Sequence, residues 1–421
     1  MTVASKPVVH GPWKRGMDNV SLDHAVAKDA LRTAVNVDVL DDGTVRRRPG
    51  TTLRVAGAAH SVWSDGQALY AVVDGVLTRY TRAVSGALSG TPLRSGLSPD
   101  LPVAYAEVAG EVYYSNNSLT GKIVAGVHRP WGVERPSGQP ALAALANGAL
   151  YAGRFQVAAT FVDNRGEESG TGATAAVSVA AGGGIRLAKI PQPVDPSVSR
   201  IRIYVSEANG AVPYRYADVA VGTTTLDIAR SSTLGKALDT QFLMPPVPGT
   251  SLESFHGRIY VGRSNLVFFT EPHRYGAMKQ ANYLAFEGEV RIIKGTDAGL
   301  WIATASETLF LEGSGPEDFR PRERLAYGAA SGAVTDLPGG KLFWMSAQGP
   351  VVCNNQGFEI EDLTDDDGEP LARIATNEHT RGSAVVREQD GVRQIIAAMD
   401  GGANSTLASQ DFFDIEIIRQ A

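Results

Sequence analysis

The residues best suited to binding a cation form an acidic run that extends from Glu359 to Glu369. Its first six carboxylates belong to Glu359, Glu361, Asp362, Asp365, Asp366 and Asp367. Carboxylate oxygens are preferred ligands of Ca²⁺, and an EF-hand loop has an aspartate at its first position and a glycine at its sixth. If Gly368 were that glycine, Leu363 would occupy the first position and could supply no carboxylate. The pattern therefore favours a solvated acidic loop, and we predict neither a metal ion nor another cofactor.

The residue types that commonly carry catalysis are scattered and form no recognisable motif. The seven histidines, at positions 10, 24, 60, 128, 256, 273 and 379, are never at close metal-ligand spacing. The single cysteine, Cys353, ends the apolar run Val351–Cys353, so we expect a small core residue there. The sequence has no P-loop, no nucleophile elbow and no dinucleotide-binding fingerprint. We therefore predict that the protein is not an enzyme.

Sugar chemistry is the main alternative that these residues leave open. A glycosidase would need two carboxylates within about 10 Å of each other in a deep pocket, but most acidic residues here lie in turns, where bonding to the backbone explains them. Aromatic side chains could stack on a sugar in a lectin or receptor-binding module, although their apolar neighbours favour places in a core. The aromatic residues in question are Trp63, Tyr113, Tyr114, Trp301 and Trp344.

The elements that must position these residues are short strands rather than helices. Runs rich in valine, isoleucine, tyrosine and threonine alternate with turns of the Asp-Gly type, which supply the positive φ that a hairpin needs. Six such hairpin units occur: His60–Val73, Val103–Ser115, Leu252–Gly262, Val290–Leu311, Ala333–Val352 and Ser383–Ala398. Most starts are roughly 40 to 50 residues apart, which is the period of a four-stranded propeller blade. We therefore predict an all-β protein, with a β-propeller of about six or seven blades formed by residues 57–136 and 245–421.

The long gap between the second and third units predicts an inserted domain over residues 137–244. It contains about seven short strands with regularly spaced turns, which is typical of a β-sandwich. Its clearest strand, Arg200–Ser206, places Ile201, Ile203 and Val205 on one face. No disulfide of the antibody type is possible with one cysteine, so a fibronectin type III-like module is the better match.

The first 56 residues are predicted to join the propeller through a short helix and a hairpin. The helix is expected around Leu22–Val35, with Asp23 as its cap. The hairpin would pair a strand over Ala34–Val39 with a second strand across the turn Asp41-Asp42-Gly43. The second strand ends in three adjacent arginines and a Pro-Gly turn: Arg46, Arg47, Arg48, Pro49 and Gly50.

This segment resembles the start of a known family of phage tail proteins. The resemblance lies in Gly16-Met17-Asp18-Asn19, in the stretch from Ala30 to Val39, and in the order Gly-x-x-x-Arg-Arg-Pro-Gly that ends at Gly50. The family is that of the tail nozzle, or packaged-DNA-stabilising, proteins of short-tailed double-stranded DNA bacteriophages. The stretches Thr160–Asp163 and Arg202–Ser206 are similar to insertions found in that group.

The resemblance implies a structural protein of the virion tail, assembled in the host cytoplasm. It implies a homo-oligomeric ring, hexameric in the family, that lies below the portal and adaptor, contacts other tail proteins and lets double-stranded DNA pass without specific binding. A baseplate or head-tail joining protein of a long-tailed phage is an alternative. No 18-residue apolar stretch occurs, so we predict no membrane segment.

The charges can be assigned provisional places in such a ring. The net charge is −6, and a channel for DNA should bind phosphate weakly because each cationic contact adds affinity. We therefore expect the acidic run of Glu359, Glu361, Asp362, Asp365, Asp366 and Asp367 to face the channel. Two readings stay open for Arg46, Arg47 and Arg48: pairing with acidic residues of a neighbouring subunit or the adaptor, or a salt-bridged strand end within the chain. The alternating tail Phe412–Ile418 could close the propeller or pair with a neighbour.

Overall fold

The computed structural model describes most of the chain, and all its regular elements are β-strands. The described residues are 11–15, 18, 21–22, 24–33, 37–40, 42–47, 52–230, 234–346, 349–354, 356, 360–361, 381–389, 392–399 and 413–418. Within these ranges, no helix is long and apolar enough to cross a membrane. The expected all-β class is confirmed, because the strands form antiparallel sheets throughout.

The amino-terminal hairpin forms, but the expected helix does not. Strand β1 (Val37–Val39) pairs with β2 (Val45–Arg47), and Val39 lies opposite Val45 across the turn that contains Gly43. Residues 24–33 form turns instead of a helix, which corrects the prediction around Leu22–Val35. The physical reason is competition for backbone groups: the amide of Asp18 bonds the carbonyl of Leu31, so this segment packs against residues 13–18.

Two successive sheets follow, each a meander of four strands. The first sheet contains β3 (Ala59–Ser64), β4 (Leu69–Val73), β5 (Val76–Arg82) and β6 (Leu88–Arg94). The second sheet contains β7 (Ala104–Val108), β8 (Glu111–Ser115), β9 (Thr120–Val124) and β10 (Val127–Arg129).

The chain then forms two further sheets that face each other. One contains β11 (Ala141–Leu150), β14 (Gly183–Ala188) and β17 (Leu226–Ile228). The other contains β12 (Gly153–Asp163), β13 (Ala175–Val179), β15 (Val198–Ser206) and β16 (Pro213–Ala220), in the order β13-β12-β15-β16. We call residues 137–244 the inserted domain.

Four more sheets complete the described chain, after the short strand β18 (Leu243–Met244), which pairs with β22 (Met278–Lys279). The third sheet contains β19 (Ser251–Phe255), β20 (Arg258–Arg263), β21 (Leu266–Phe269) and β23 (Tyr283–Ala285). The fourth contains β24 (Ile292–Thr296), β25 (Gly299–Ala303), β26 (Thr308–Glu312) and β27 (Arg320–Leu325). The fifth contains β28 (Ala329–Leu337), β29 (Lys341–Ser346), β30 (Gly349–Cys353) and β31 (Ile360–Glu361). The sixth contains β32 (Gly382–Gln389), β33 (Val392–Met399) and β34 (Phe413–Ile418).

The six sheets outside the inserted domain pack face to face in chain order. Strand β7 lies beside β19, β19 beside β24, β24 beside β28, and β28 beside β32. Each successive pair encloses its own apolar core, because alternate residues of one strand enter the cores on its two sides. In β8, for example, Tyr114 packs towards the first sheet and Tyr113 towards the third. This arrangement of four-stranded meanders makes the body propeller-like. We call these six sheets the body.

The inserted domain buries the residues that its alternating pattern selects. Ile201, Ile203 and Val205 of β15 are at most 4% exposed and lie in the core between the two sheets. On the opposite face of the same strand, Arg202 and Tyr204 bear polar groups that point out of this core. The strand Phe413–Ile418 pairs with β33 of the same chain, so the carboxyl-terminal strand joins the sixth sheet.

Candidate functional site

The arginine cluster lies at the exposed end of the amino-terminal hairpin. Arg46 and Arg47 are exposed, and Arg46 lies opposite Asp38 in the register of β1 and β2. Neither arginine forms an ion pair with another described residue. Arg48 lies outside the described residues. The structure therefore places two of the three arginines on the surface and does not bring them to any other predicted site residue.

The acidic run falls almost wholly outside the described residues. Glu361 ends the short strand β31 and lies opposite Val352 in the fifth sheet. The positions of Glu359, Asp362, Asp365, Asp366 and Asp367 are not among those described, so their expected place at a channel stays a prediction. Among the described residues, no group of three histidine, cysteine or acidic side chains is arranged to hold a metal ion.

The aromatic residues considered for sugar stacking belong mainly to the cores. Tyr113, Tyr114, Trp301 and Trp344 are at most 3% exposed. Trp63 is half-buried and stacks on Tyr105, with ring centroids 5.4 Å apart. Rings that are buried on both faces cannot stack on a sugar, so four of the five residues serve as core. Cys353 is also fully buried, as its apolar neighbours predicted.

A row of charges links the first strands of the third, fourth and fifth sheets. The Lys294 Nζ atom lies 3.3 Å from Glu253 Oε2 and 3.0 Å from Asp336 Oδ2. The second Glu253 oxygen accepts the backbone amide of Gly295 at 3.0 Å. Burial opposes the charged lysine, but the two carboxylates outweigh it and raise the pKa of Lys294. The row therefore acts as a charged tie between neighbouring sheets.

The most concentrated polar site lies where the inserted domain meets the body. A tight turn after β12 positions it, because the Asp163 carboxylate accepts the backbone amides of Arg165 and Glu167 at 2.9 and 2.8 Å. Gly166 adopts a positive φ of 89° within this turn. The turn thereby directs the side chains of Arg165 and Glu167 towards the second sheet of the body.

Lys122 of β9 is the centre of that contact. Its side chain is only 2% exposed, and its ammonium pairs with Glu167 of the inserted domain and, at 3.8 Å, with Glu111 of the body. Glu111 also binds Arg165 at 2.5 Å and accepts the hydroxyl of Tyr113 at 2.8 Å. Burial, followed by the bond to Glu111, raises the pKa of Tyr113, which keeps its hydroxyl protonated. A buried charge needs such partners, so the network fixes the inserted domain to the body.

Apolar packing supports the same joint. Trp131, 2% exposed, donates its indole N–H to the carbonyl of Tyr275 at 2.7 Å. Its ring also packs against Tyr113, with centroids 5.3 Å apart. The next residue, Gly132, has a positive φ of 89°, and a Cβ there would overlap the carbonyl oxygen of Gly276. The chain can therefore enter the inserted domain at this angle only with glycine at position 132.

A second ionic network covers the outer face of the inserted domain. The Arg202 guanidinium donates to both oxygens of Asp218, at 2.8 and 3.2 Å, and to Glu168 at 2.5 Å. Glu168 also accepts the hydroxyl of Tyr204 at 2.6 Å. The bond to Asp218 is the largest of the effects that raise the pKa of Arg202, so this guanidinium stays charged. Such bidentate pairs hold both side chains in one geometry.

The two networks border one cavity of about 450 Å³ between the inserted domain and the body. Its wall includes Glu111, Glu167, Glu168 and Arg202 from the networks, and Arg274 from the loop between β21 and β22. The sequence analysis did not single out any of these side chains as a site. The signal that could have found the first network was a lysine within an otherwise apolar strand, together with the charged turn after β12.

Comparisons with known proteins identify no family. No protein-family model matches the chain, and no curated protein matches it. Among solved structures, streptogramin B lyase is 10% identical over 80% of this chain and 90% of that one, with a TM-score of 0.34. Hsv2 of Kluyveromyces lactis is 10% identical over 85% and 95% of the two chains, with a TM-score of 0.28.

A third similar structure is PorZ, a surface component of the type-IX secretion system of Porphyromonas gingivalis. It is 10% identical over 85% of this chain and 54% of that one, with a TM-score of 0.25. The lyase and Hsv2 are propeller-like. At TM-scores this low, the likenesses carry no argument about function, and the description of the body rests on its own sheets.

Proposed function

We propose that this protein is a structural component of a bacteriophage tail, similar to the nozzle proteins below the portal and adaptor. The observation that carries the proposal is the amino-terminal hairpin. The motif of the resemblance forms strands β1 and β2, and it presents Arg46 and Arg47 to solvent without an ion pair among the described residues. Exposed cations at the end of a hairpin suit pairing with acidic side chains of an adjacent subunit.

The proposed architecture is a propeller of six blades with an inserted fibronectin type III-like domain. The six sheets of the body, each with its first strand beside that of a neighbour, support six blades rather than seven. Seven strands in sheets of three and four, with no disulfide, support the fibronectin type III-like assignment.

A scaffolding role agrees with the way the two parts are joined. The buried Lys122 network and the Trp131 contact resist movement of the inserted domain relative to the body. A protein that lines a path for DNA needs a fixed shape and a surface that binds phosphate weakly. In this proposal, the protein forms a homo-oligomeric ring, hexameric as in the family, and belongs to the virion tail. The acidic run from Glu359 to Asp367 faces the channel, and DNA passes without sequence-specific contacts.

The test is assembly of the triple variant R46A/R47A/R48A, compared with the unchanged protein and with R186A/R322A/K279A. The control residues are exposed cations with partners within the chain. Native mass spectrometry and electron microscopy of the purified protein would measure the ring. We expect the unchanged protein and the control to form a closed ring and the triple variant to stay monomeric. A ring of the triple variant would refute the interface role of the arginines, and a monomeric unchanged protein that no adaptor assembles would refute the ring.

A further inference from the structure

The cavity at the junction has one wall with more positive than negative charge. Three cationic side chains border it: Arg215, Lys236 and Arg274. Lys236 and Arg274 share a single carboxylate, Asp239, at 2.7 and 2.8 Å. Arg215 binds Asp218 at 2.7 Å, an aspartate that already pairs with two further arginines. The charges at this wall are therefore incompletely balanced.

A count of the wall's ion pairs gives the size of that imbalance. Its cations are Arg200, Arg202, Arg215, Lys236 and Arg274, and the carboxylates they contact are Glu168, Asp218 and Asp239. The opposite wall is balanced, since Lys122 and Arg165 face Glu111 and Glu167. Two positive charges thus lack a matching carboxylate around the cavity, and a bound anion with two negative charges would complete the set.

The backbone fixes these cations close together. Arg215 donates its backbone amide to the carbonyl of Lys236 at 2.9 Å, so the two residues are neighbours on adjacent segments. Asp239 then brings the Arg274 guanidinium to the Lys236 ammonium. The side chains of Arg215 and Arg274 are each 45% exposed and are open to a ligand that enters from solvent. Guanidinium groups of this kind recognise oxyanions through paired N–H donors.

An independent observation points into the same cavity. Thr240 borders it, is only 3% exposed, and its hydroxyl has no hydrogen-bond partner in the described chain. A buried polar group without a partner is costly, and native proteins normally provide one. A threonine hydroxyl can donate to an oxyanion, so a ligand oxygen at this point would satisfy it.

We propose that this cavity binds a small anion that carries two negative charges on oxygen atoms, held by Arg215, Lys236, Arg274 and the hydroxyl of Thr240. Its volume of about 450 Å³ admits a ligand of this kind together with water. Phosphate and dicarboxylate ligands share this chemistry. The proposal is independent of the role in a phage tail, since it uses no residue of the amino-terminal hairpin or the acidic run.

Isothermal titration of the full-length protein with inorganic phosphate and, separately, with succinate tests the proposal at constant ionic strength. We expect one of these probes to bind at a stoichiometry of one per chain. R274A and K236A should each weaken that binding about tenfold, and T240V should weaken it by a smaller factor, since charge-assisted bonds contribute most. The probe that binds more tightly distinguishes a phosphate ligand from a dicarboxylate.

K279A is the matched control, because Lys279 pairs with Glu271 in the same loop region and does not border the cavity. It should leave the affinity unchanged. Circular dichroism of each variant checks that it is folded, and T240V keeps the test valid if a charge variant unfolds. The proposal is overturned if neither probe binds at about 10 mM, or if K279A weakens binding as much as R274A does.

Discussion

The ammonium of Lys122, in the second sheet of the body, lies against the carboxylate of Glu167 in the inserted domain. The two residues are 45 positions apart, and the lysine side chain is 2% exposed while that of the glutamate is 35% exposed. The body therefore supplies the buried charge, and the inserted domain supplies the partner that makes its burial tolerable. Because the pair spans both parts of the chain, their docking and their folding stability are coupled.

E167A should destabilise the protein by about 2 kcal/mol. This is less than the ~3–5 kcal/mol expected for a buried charge left with no partner, because Glu111 still contacts Lys122 at 3.8 Å. Urea unfolding followed by tryptophan fluorescence would measure the change. The matched control is D227A, which removes an exposed partner of Arg186 and should move the midpoint little. Equal effects of the two substitutions would show that the Lys122 contact is not specially stabilising.

G132A should destabilise the protein more than G66A. Both glycines have a similar positive φ, 89° and 83°, so both substitutions carry the cost of about 1 kcal/mol for alanine in that region. Only at Gly132 does the new Cβ overlap backbone, the carbonyl oxygen of Gly276; at Gly66 no atom lies within 4 Å. The difference in melting temperature between the two variants isolates this overlap. Indistinguishable melting temperatures would mean that the junction yields at no cost.

The effect of D218N on stability should depend on pH. Burial would raise the pKa of Asp218, but the bonds from Arg202 and the charges of Arg215 and Arg200 outweigh it and lower that pKa below 3.8. The stabilisation by the carboxylate is therefore complete above pH 3.8 and is lost as the pH falls through the lower folded value. At pH 7 we expect D218N to be less stable by about 2 kcal/mol.

Urea midpoints of the unchanged protein and of D218N, measured from neutral pH downwards, check that prediction. The gap between the two curves should narrow only once the pH is below the ordinary value for aspartate. A gap that persists unchanged under the most acidic conditions at which the protein folds would contradict the assignment of the effect to this carboxylate.

Cys353 should resist thiol reagents in the native protein. It is fully buried in the core between the fourth and fifth sheets, beside Trp344 and Leu342. Labelling therefore requires those sheets to separate, and we expect it to be at least about a hundredfold slower than in denaturant. Because the chain has one cysteine, the reaction reports on this site alone. Rapid labelling without denaturant would show that the two sheets part readily.

The local sequence was sufficient to predict which side chains enter a core. Alternation along β15 selected Ile201, Ile203 and Val205, and the structure buries all three. The hairpin units were also predictable, since glycine-containing turns and β-branched runs act over a few residues. The helix around Leu22–Val35 was wrong because hydrogen bonds to a segment earlier in the chain replaced its internal ones.

The sequence by itself determined that the chain would be all-β, where many of its turns lie and which face of a strand is apolar. Those features depend on steric and solvation preferences of neighbouring residues. Only the tertiary structure decided which charges meet: Lys122 with Glu167, Lys294 with two carboxylates, and three cations beside the Thr240 hydroxyl. Such groups are brought together by packing of distant segments, and no local pattern specifies a contact across so many residues of chain.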